Sequence, residues 1–364
     1  MTDMSKEVDA KMAAQTPDVN GMVWFDATAA PFALYGFYST DPYTRMPPEI
    51  AEKVNPGVKR NNYHTAGGRV RFSTDSTRVG VRVAMPYVTK FCHMPITGSS
   101  SFDLYLDTEA GSVFKAAFKP DVKIETGFEM TVKTKEKGER RYTLNFPLYS
   151  PVTKLEIGID AGAKLGPGAE YLPIKPIVYY GSSITQGACA SRPGLAYQSI
   201  IARKLNIDFV NLGFSGNAKA EQPMCDYLAG LDMSVFVCDY DHNAPNAEYL
   251  LATHKNLYLT VREKNPDLPI IFLSRPDFIF SERESCDRRA VVEDTYRFAR
   301  ESGDANVRYI DGDGICRGEY EDSSSTDGTH PNDVGFVMMA ESIGATLREL
   351  FRETPRRALK GEDR

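Results

Sequence analysis

The chain predicts two domains of different class: an all-β sandwich or jelly roll, then an α/β domain with a parallel five-stranded sheet between two helical layers. Three observations predict it. The 364 residues exceed one typical core and suit two domains, each of about 150 residues. The hydrophobic pattern changes in mid-chain, from short alternating strands to strands interleaved with helical periods. Between them, Asp160 to Pro176 is rich in Gly, Ala and Pro and reads as the connection. We place the first domain at residues 20–165 and the second at 176–355.

In the first half, Arg69–Ser73, Arg78–Val83 and Ser101–Asp107 alternate at period two, the mark of half-buried strands. Thr131–Lys135 and Tyr142–Phe146 flank the Lys137-Gly138 turn and read as a hairpin, and Lys154–Ile159 closes the series. Many short strands with regular turn signals indicate a sandwich or jelly roll. After Pro176 the candidate strands are Ile177–Tyr180, Asp208–Leu212, Ser234–Asp239, Pro269–Ser274 and Arg308–Asp311. Helical periods separate them. Leu250, His254, Leu257 and Val261 share one helix face, as do Phe336, Met339, Ile343 and Leu347 in the last helix. In such sheets ligands bind beyond the carboxyl ends of the strands.

Composition narrows the function. With 42% hydrophobic and 25% charged residues the chain is an ordinary globular protein, so disorder is not expected. A net charge of −6 implies no broad basic surface and argues against nucleic acid as a partner. The one basic run, Lys133–Arg141, contains acids and a Gly and reads as a solvated hairpin tip. Met1 to Lys11 is polar and lacks the apolar centre of a signal peptide. No apolar stretch approaches the ~18 residues of a membrane span. The six cysteines form no Cys-x-x-Cys pair, which points to a reducing cytoplasmic location without disulfides or a zinc knuckle.

Four segments carry candidate chemistry. Ser183, in Gly181-Ser182-Ser183-Ile184-Thr185-Gln186-Gly187, follows the first parallel strand. Gly-x-Ser alone is a common turn, and a serine there also reads as a helix N-cap. Gly216, in Asn211–Asn217, follows the second strand, where a glycine lets backbone approach a ligand and leaves an N–H to donate. Its plain reading is a tight turn. Asp239-Tyr240-Asp241-His242-Asn243 follows the third, and Asn243 offers a neutral amide donor. Its plain reading is a polar loop of Asx turns. Asp239, Asp241 and His242 lack a second ligand pair at metal spacing, so no metal is expected. Last comes Asp327-Gly328-Thr329-His330-Pro331, whose acid and imidazole can fold together. Its plain reading is a capping Asp before a helix that Pro331 opens. His254 reads as a core histidine, and His64 and His93 as surface or interface groups.

A serine hydroxyl needs an imidazole to take its proton, and that imidazole needs an acid to hold its tautomer. The order Ser…Asp…His, with every candidate at one rim of the sheet, supplies all three. At these residues the chain resembles the SGNH (GDSL-type) hydrolases, whose blocks supply Ser, Gly, Asn and Asp-x-x-His; here they match Ser183, Gly216, Asn243 and Asp327/His330. The resemblance spans roughly Pro176 to Leu350 and implies a flavodoxin-like sheet. Ser182 stands where the name-giving Asp of that family stands. The usual Gly-x-Asn-Asp block is absent, and Asn246 is the alternative to Asn243. Ser101-Phe102-Asp103-Leu104-Tyr105 resembles the Gly-x-Asp-Leu-Tyr β-domain that precedes some SGNH domains.

The resemblance implies a serine esterase with catalytic Ser183, Asp327 and His330 and an oxyanion hole from Ser183, Gly216 and Asn243. It implies a small acyl group, acetyl foremost, on a carbohydrate or other small-molecule ester, and no cofactor. Two other readings stay open: an acyltransferase on the same triad, and a non-catalytic carbohydrate-binding protein. The β-domain either shields the rim or lends the pocket a wall through His64, Tyr87 or His93.

Overall fold

The computed structural model describes residues 18, 20–135, 138–276 and 282–353. The polar segment Met1 to Lys11 and the turn residue Lys137 lie outside them.

The first half contributes strands Met22–Asp26 (β1), Ala33–Tyr35 (β2), Ser39–Thr40 (β3), Tyr43–Thr44 (β4), Arg69–Thr74 (β5) and Arg78–Ala84 (β6). Asp103–Thr108 (β7), Gly111–Ala117 (β8), Gly127–Lys133 (β9), Arg140–Asn145 (β10), Lys154–Asp160 (β11) and Leu165–Pro167 (β12) complete it. One antiparallel sheet runs β1-β11-β6-β9 and the other β12-β5-β10-β7-β8, with β2 also on β5. Val79, Val81 and Ile157 from the first sheet meet Val70, Phe72, Leu104 and Leu144 from the second in a dry core. Alternation at period two aims these apolar residues at one face, which makes a sandwich.

Three expectations change here. The segments around Thr131 and Tyr142 do not pair as a hairpin: β9 bonds β6, whereas β10 bonds β5 and β7 in the opposite sheet. Gly138 does bend the chain with φ +74°, but local pattern cannot say which sheet receives each arm. The described residues of the basic run are exposed apart from Thr134, as a solvated tip should be. The connecting stretch is not a free linker. Its Leu165–Pro167 segment forms β12 on β5, because Leu165 packs against the sandwich core. The half read as all-β also holds helices, among them Pro48–Val54 (α1) and Pro56–Asn61 (α2), besides the single turn Ile96–Ser99. Both α1 and α2 open with a proline near the first position, and Asn55 caps α2 by accepting from Val58 N.

The second half alternates as its periods predict. Ile177–Gly181 (β13), Phe209–Gly213 (β14), Val235–Asp239 (β15), Ile270–Leu273 (β16) and Val307–Ile310 (β17) form a wholly parallel sheet in the order β14-β13-β15-β16-β17. Ile177 and Tyr179 pack under helices Tyr197–Leu205 and Asp333–Glu353 on one face. Val178 and Tyr180 pack under Gln222–Ala229, Ala247–Lys264 and Glu282–Glu301 on the other. Both faces are covered, so these strands read as continuous apolar runs. Strand order reverses beside β13, which opens a crevice at its carboxyl end.

Helices α1 and α2 belong to this second core. Met46, Ala51, Val54 and Val58 pack with Leu212 and Phe214. Asn55 Nδ2 donates to Asn217 O at 3.1 Å, and Asn61 Nδ2 to Ser215 O at 3.2 Å. A Cβ at Gly57 would overlap the Asn217 side chain as it stands, so the close approach of helix and loop uses the missing side chain. Arg45, about 1% exposed, donates to the carbonyls of Asn61, Asn211 and Gly213 and fixes the carboxyl end of β14. Arg45→Met should cost at least about 2 kcal/mol, because buried carbonyls lose their donors. Urea unfolding reads this directly, and an unchanged midpoint would show that the contacts are dispensable.

Candidate active site

Ser183 opens a single helical turn, Ser183–Gln186, directly after β13. Ser182 makes the turn by accepting from Ile184 N at 3.1 Å. Serine and aspartate are near-equivalent N-caps, which explains why Ser182 can stand where the related motif carries Asp. Ser183 is only 6% exposed. Its Oγ lies 2.9 Å from Nε2 of His330, 147 residues along the chain.

His330 sits on a short loop closed upon itself. Thr326 N donates to His330 O at 3.0 Å, and Ser325 and Pro331 form a bridge. The Asp327 carboxylate accepts from the backbone N–H of Thr329 and His330, while its second oxygen lies 2.8 Å from His330 Nδ1. Partial burial opposes ionisation of Asp327. The bonds from the His330 ring and from the two backbone N–H groups outweigh it and hold the acid down at about 2. An ionised carboxylate on Nδ1 places the ring proton there and leaves Nε2 to accept from Ser183.

Gly216 lies on the loop after β14 with φ +71°, a conformation glycine adopts without cost, and a Cβ there would enter open space. Among the described residues neither the Ser183 N–H nor the Gly216 N–H has an acceptor. Asn243 ends the short turn after β15, and its Oδ1 accepts from Ala218 N at 3.4 Å, which ties it to the Gly216 loop. The alternative, Asn246, is exposed and caps the helix Ala247–Lys264 by accepting from Tyr249 N. Asp239 and Asp241 are buried in structural bonds: Asp239 accepts from Thr185 Oγ1 at 2.8 Å, and Asp241 from Arg275 N at 3.0 Å. His254 is a core histidine, bonded to Thr295 Oγ1 at 2.9 Å.

The β-domain reaches the rim. Gln186, the last residue of the serine turn, donates to His64 Nδ1 at 3.0 Å and to Leu148 O, while its oxygen accepts from Ser215 N. His64 Nε2 faces Tyr87 Oη at 3.3 Å. Tyr149 Oη donates to Ser183 O at 3.3 Å. His93 stacks on His330 with ring centroids 5.5 Å apart. Sequence reasoning named His64, Tyr87 and His93 without choosing among them, and it missed Gln186, Tyr149 and Cys189. Gln186 lay inside the quoted serine segment and could have been found there. Nothing in the sequence marks Tyr149 or Cys189.

The Asp-Leu-Tyr segment has a legible purpose. Asp103 is fully buried between the domains, accepting from Asn145, from Gly194 N at 2.9 Å and from Arg192 at 3.0 Å. Arg192 also bonds Tyr105. The motif clamps the β-domain to the segment that follows the serine turn.

A doubly covered parallel sheet, with a serine, a histidine and a carboxylate meeting at its carboxyl rim, defines a class: the SGNH-type hydrolases of carboxylic esters. The GDSL-like lipase/acylhydrolase family model matches residues 174–348, and the GxDLY model, the N-terminus of SGNH-hydrolase-type esterases, matches 22–165. The chain belongs to this family of GDSL/SGNH esterases. A Bacteroides ovatus protein assigned as a GDSL-like lipase is 26% identical, with a TM-score of 0.82 over 91% of this chain and 98% of that one. A salicylyl-acyltransferase from a tetracycline biosynthetic pathway shares the fold at 22% identity and TM-score 0.73, covering 92% of this chain and 98% of its own. An acetyl xylan esterase from Butyrivibrio proteoclasticus does so at 12% and 0.55, covering 91% and 98%. A search of curated proteins finds no match. Among the described residues no helix is long and apolar enough to cross a membrane.

Burial holds His64, His242 and His254 at about 3, assisted at His64 and His242 by nearby positive charge. Each is neutral in the fold and takes up a proton on unfolding once pH falls below the ordinary ~6.5. Stability should therefore be complete above that value and fall as pH drops toward the folded value. For His254 alone the loss near pH 5 is about 2 kcal/mol. Urea unfolding at about pH 7 and about pH 5 should show a shallower pH dependence in His254→Leu, by up to one proton. Equal slopes in both proteins would mean that His254 is charged in the fold.

Proposed function

We propose that this protein is a serine esterase that removes small acyl groups, acetyl foremost, from carbohydrate or other alcohol esters. The reading is carried by the continuous chain Ser183 Oγ–His330 Nε2 at 2.9 Å and His330 Nδ1–Asp327 Oδ2 at 2.8 Å. In the first step Ser183 Oγ bonds to the ester carbonyl carbon and its proton passes to His330 Nε2. The carbonyl electron pair moves onto oxygen. The N–H groups of Ser183 and Gly216 and the Asn243 amide hold that oxyanion. The pair then returns, the bond to the alcohol oxygen breaks, and His330 gives its proton to the leaving alcohol. Water repeats the sequence on the acyl-enzyme. Asp327 stays ionised throughout and stabilises the imidazolium.

The sugar preference is supported by the shared fold with an acetyl xylan esterase and with a family two carbohydrate esterase from Clostridium thermocellum. A second reading, acyl transfer to an alcohol other than water, is favoured by the higher TM-score of 0.73 with the salicylyl-acyltransferase. Both readings use the same acyl-enzyme, and the acceptor alone separates them. Turnover of acetylated oligosaccharides, with and without added alcohols, decides it: free acetate supports hydrolysis, and a new ester supports transfer.

Ser183→Ala should lower p-nitrophenyl acetate hydrolysis by at least ~10³-fold and abolish labelling by a fluorophosphonate. Retained turnover would reject Ser183 as nucleophile. Asn243→Ala should lower kcat by roughly 10²-fold or more with little change in KM, the mark of a donor used in the transition state. A purely KM effect would remove Asn243 from the oxyanion hole.

A further inference from the structure

Two side chains crowd the His330 ring without a part in the acyl-transfer steps. His93, from the loop after β6, stacks on it with the ring planes 29° apart. Cys189, just beyond the serine turn, is buried and has φ +71°, a conformation that non-glycine residues rarely adopt and that clusters at functional sites. With Asp327 they surround one small volume: one donor atom each from His93, Cys189, Asp327 and His330 all lie within 4.8 Å of one another.

We propose that these four residues form an inhibitory site for Zn²⁺ or a similar borderline-soft divalent ion. Two imidazoles, a thiolate and a carboxylate are a donor set that suits zinc, whereas Mg²⁺ and Ca²⁺ take oxygen ligands. Tetrahedral zinc, with bonds of about 2.0–2.3 Å, holds its ligands about 3.3–3.8 Å apart. The widest donor pair must therefore close by about 1 Å. His93 is half-buried and lies on a loop rather than in a strand or helix, so the closure falls to it. On binding, the S–Zn bond forms as the Cys189 thiol proton leaves to water; a metal on His330 Nδ1 sends that ring proton to Nε2, and one on Nε2 takes the lone pair that would accept from Ser183.

The ion and catalysis exclude one another. Both ring nitrogens of His330 are already engaged, one by Ser183 and one by Asp327. A metal on either nitrogen breaks the proton path or removes the acid that orients it. The ion would also join the two halves of the chain, since His93 precedes the sandwich's last strands and the other ligands follow β13. Inhibition rests on the esterase reading above; binding does not.

The test uses the full chain. Calorimetry with Zn²⁺ should find one ion per chain for the parent and equally for Ser183→Ala, because Ser183 is not a ligand. Cys189→Ser and His93→Gln should each weaken binding at least about tenfold, since a ligand is lost. Circular dichroism checks that both variants are folded, and His93→Gln, on its loop, guards against loss of the buried-site variant. Co²⁺ in place of Zn²⁺ should give a thiolate-to-metal charge-transfer band that is lost in Cys189→Ser. In activity assays Zn²⁺ should inhibit p-nitrophenyl acetate hydrolysis, a chelator should restore it, and Mg²⁺ should do nothing. No Zn²⁺ binding, binding unaffected by both variants, or a cobalt complex without the thiolate band would each overturn the site. Zinc binding in a parent that hydrolyses no ester would instead reject the esterase reading and leave the site standing.

Discussion

The hydrogen bond between Ser183 and His330 joins the loop after the first parallel strand of the chain to the loop after the last, at one rim of the sheet. A hydroxyl and an imidazole must stay near 2.9 Å for a proton to pass between them. The serine end is set by β13, buried on both faces, and by the Ser182 cap. The histidine end is set by a loop that bonds its own backbone at both sides and is braced where Arg275 donates to Gly328 O at 3.4 Å. Asp327 serves that loop twice. One carboxylate oxygen folds the backbone, and the other orients the ring.

The N-terminal half is part of this constraint. Its helices α1 and α2 and Arg45 support the Gly216 loop, Gln186 and His64 link the serine turn to the sandwich, and Asp103 receives Arg192 at the seam. Buried charge is costly unless it is paired and hydrogen-bonded. Asp103 and Arg192 meet both conditions only when the domains are docked. The seam is therefore specific in its geometry, and side chains of both domains flank Ser183 and His330. His93 and Tyr149 place two aromatic side chains of the sandwich half beside the catalytic-domain loops.

Legibility followed the range of the interaction. Ile177–Gly181 and the other parallel strands were readable because burial on both faces leaves a continuous apolar run. Leu250, His254, Leu257 and Val261 were readable because a helix buries one stripe. The short helices Pro48–Val54 and Pro56–Asn61 were not read, since their few apolar positions face a distant core rather than one another. The bend at Gly138 was visible, but β9 and β10 joined different sheets, a choice made by partners far away in the chain. Leu165–Pro167 looked like linker because three residues carry no period.

Sequence by itself determined the two fold classes, the change between them near Asp160, and which residue types stood ready for acyl-transfer chemistry. These are local properties, written in periods of two and 3.6 and in short motifs. Tertiary structure decided that Ser183, Asp327 and His330 meet, that Asn243 rather than Asn246 faces the Gly216 loop, and that Cys189 and His93 stand against the catalytic ring. Each of those is a contact between segments whose separation along the chain carries no record of their distance in space. Only the packing of two domains around one sheet brings them together.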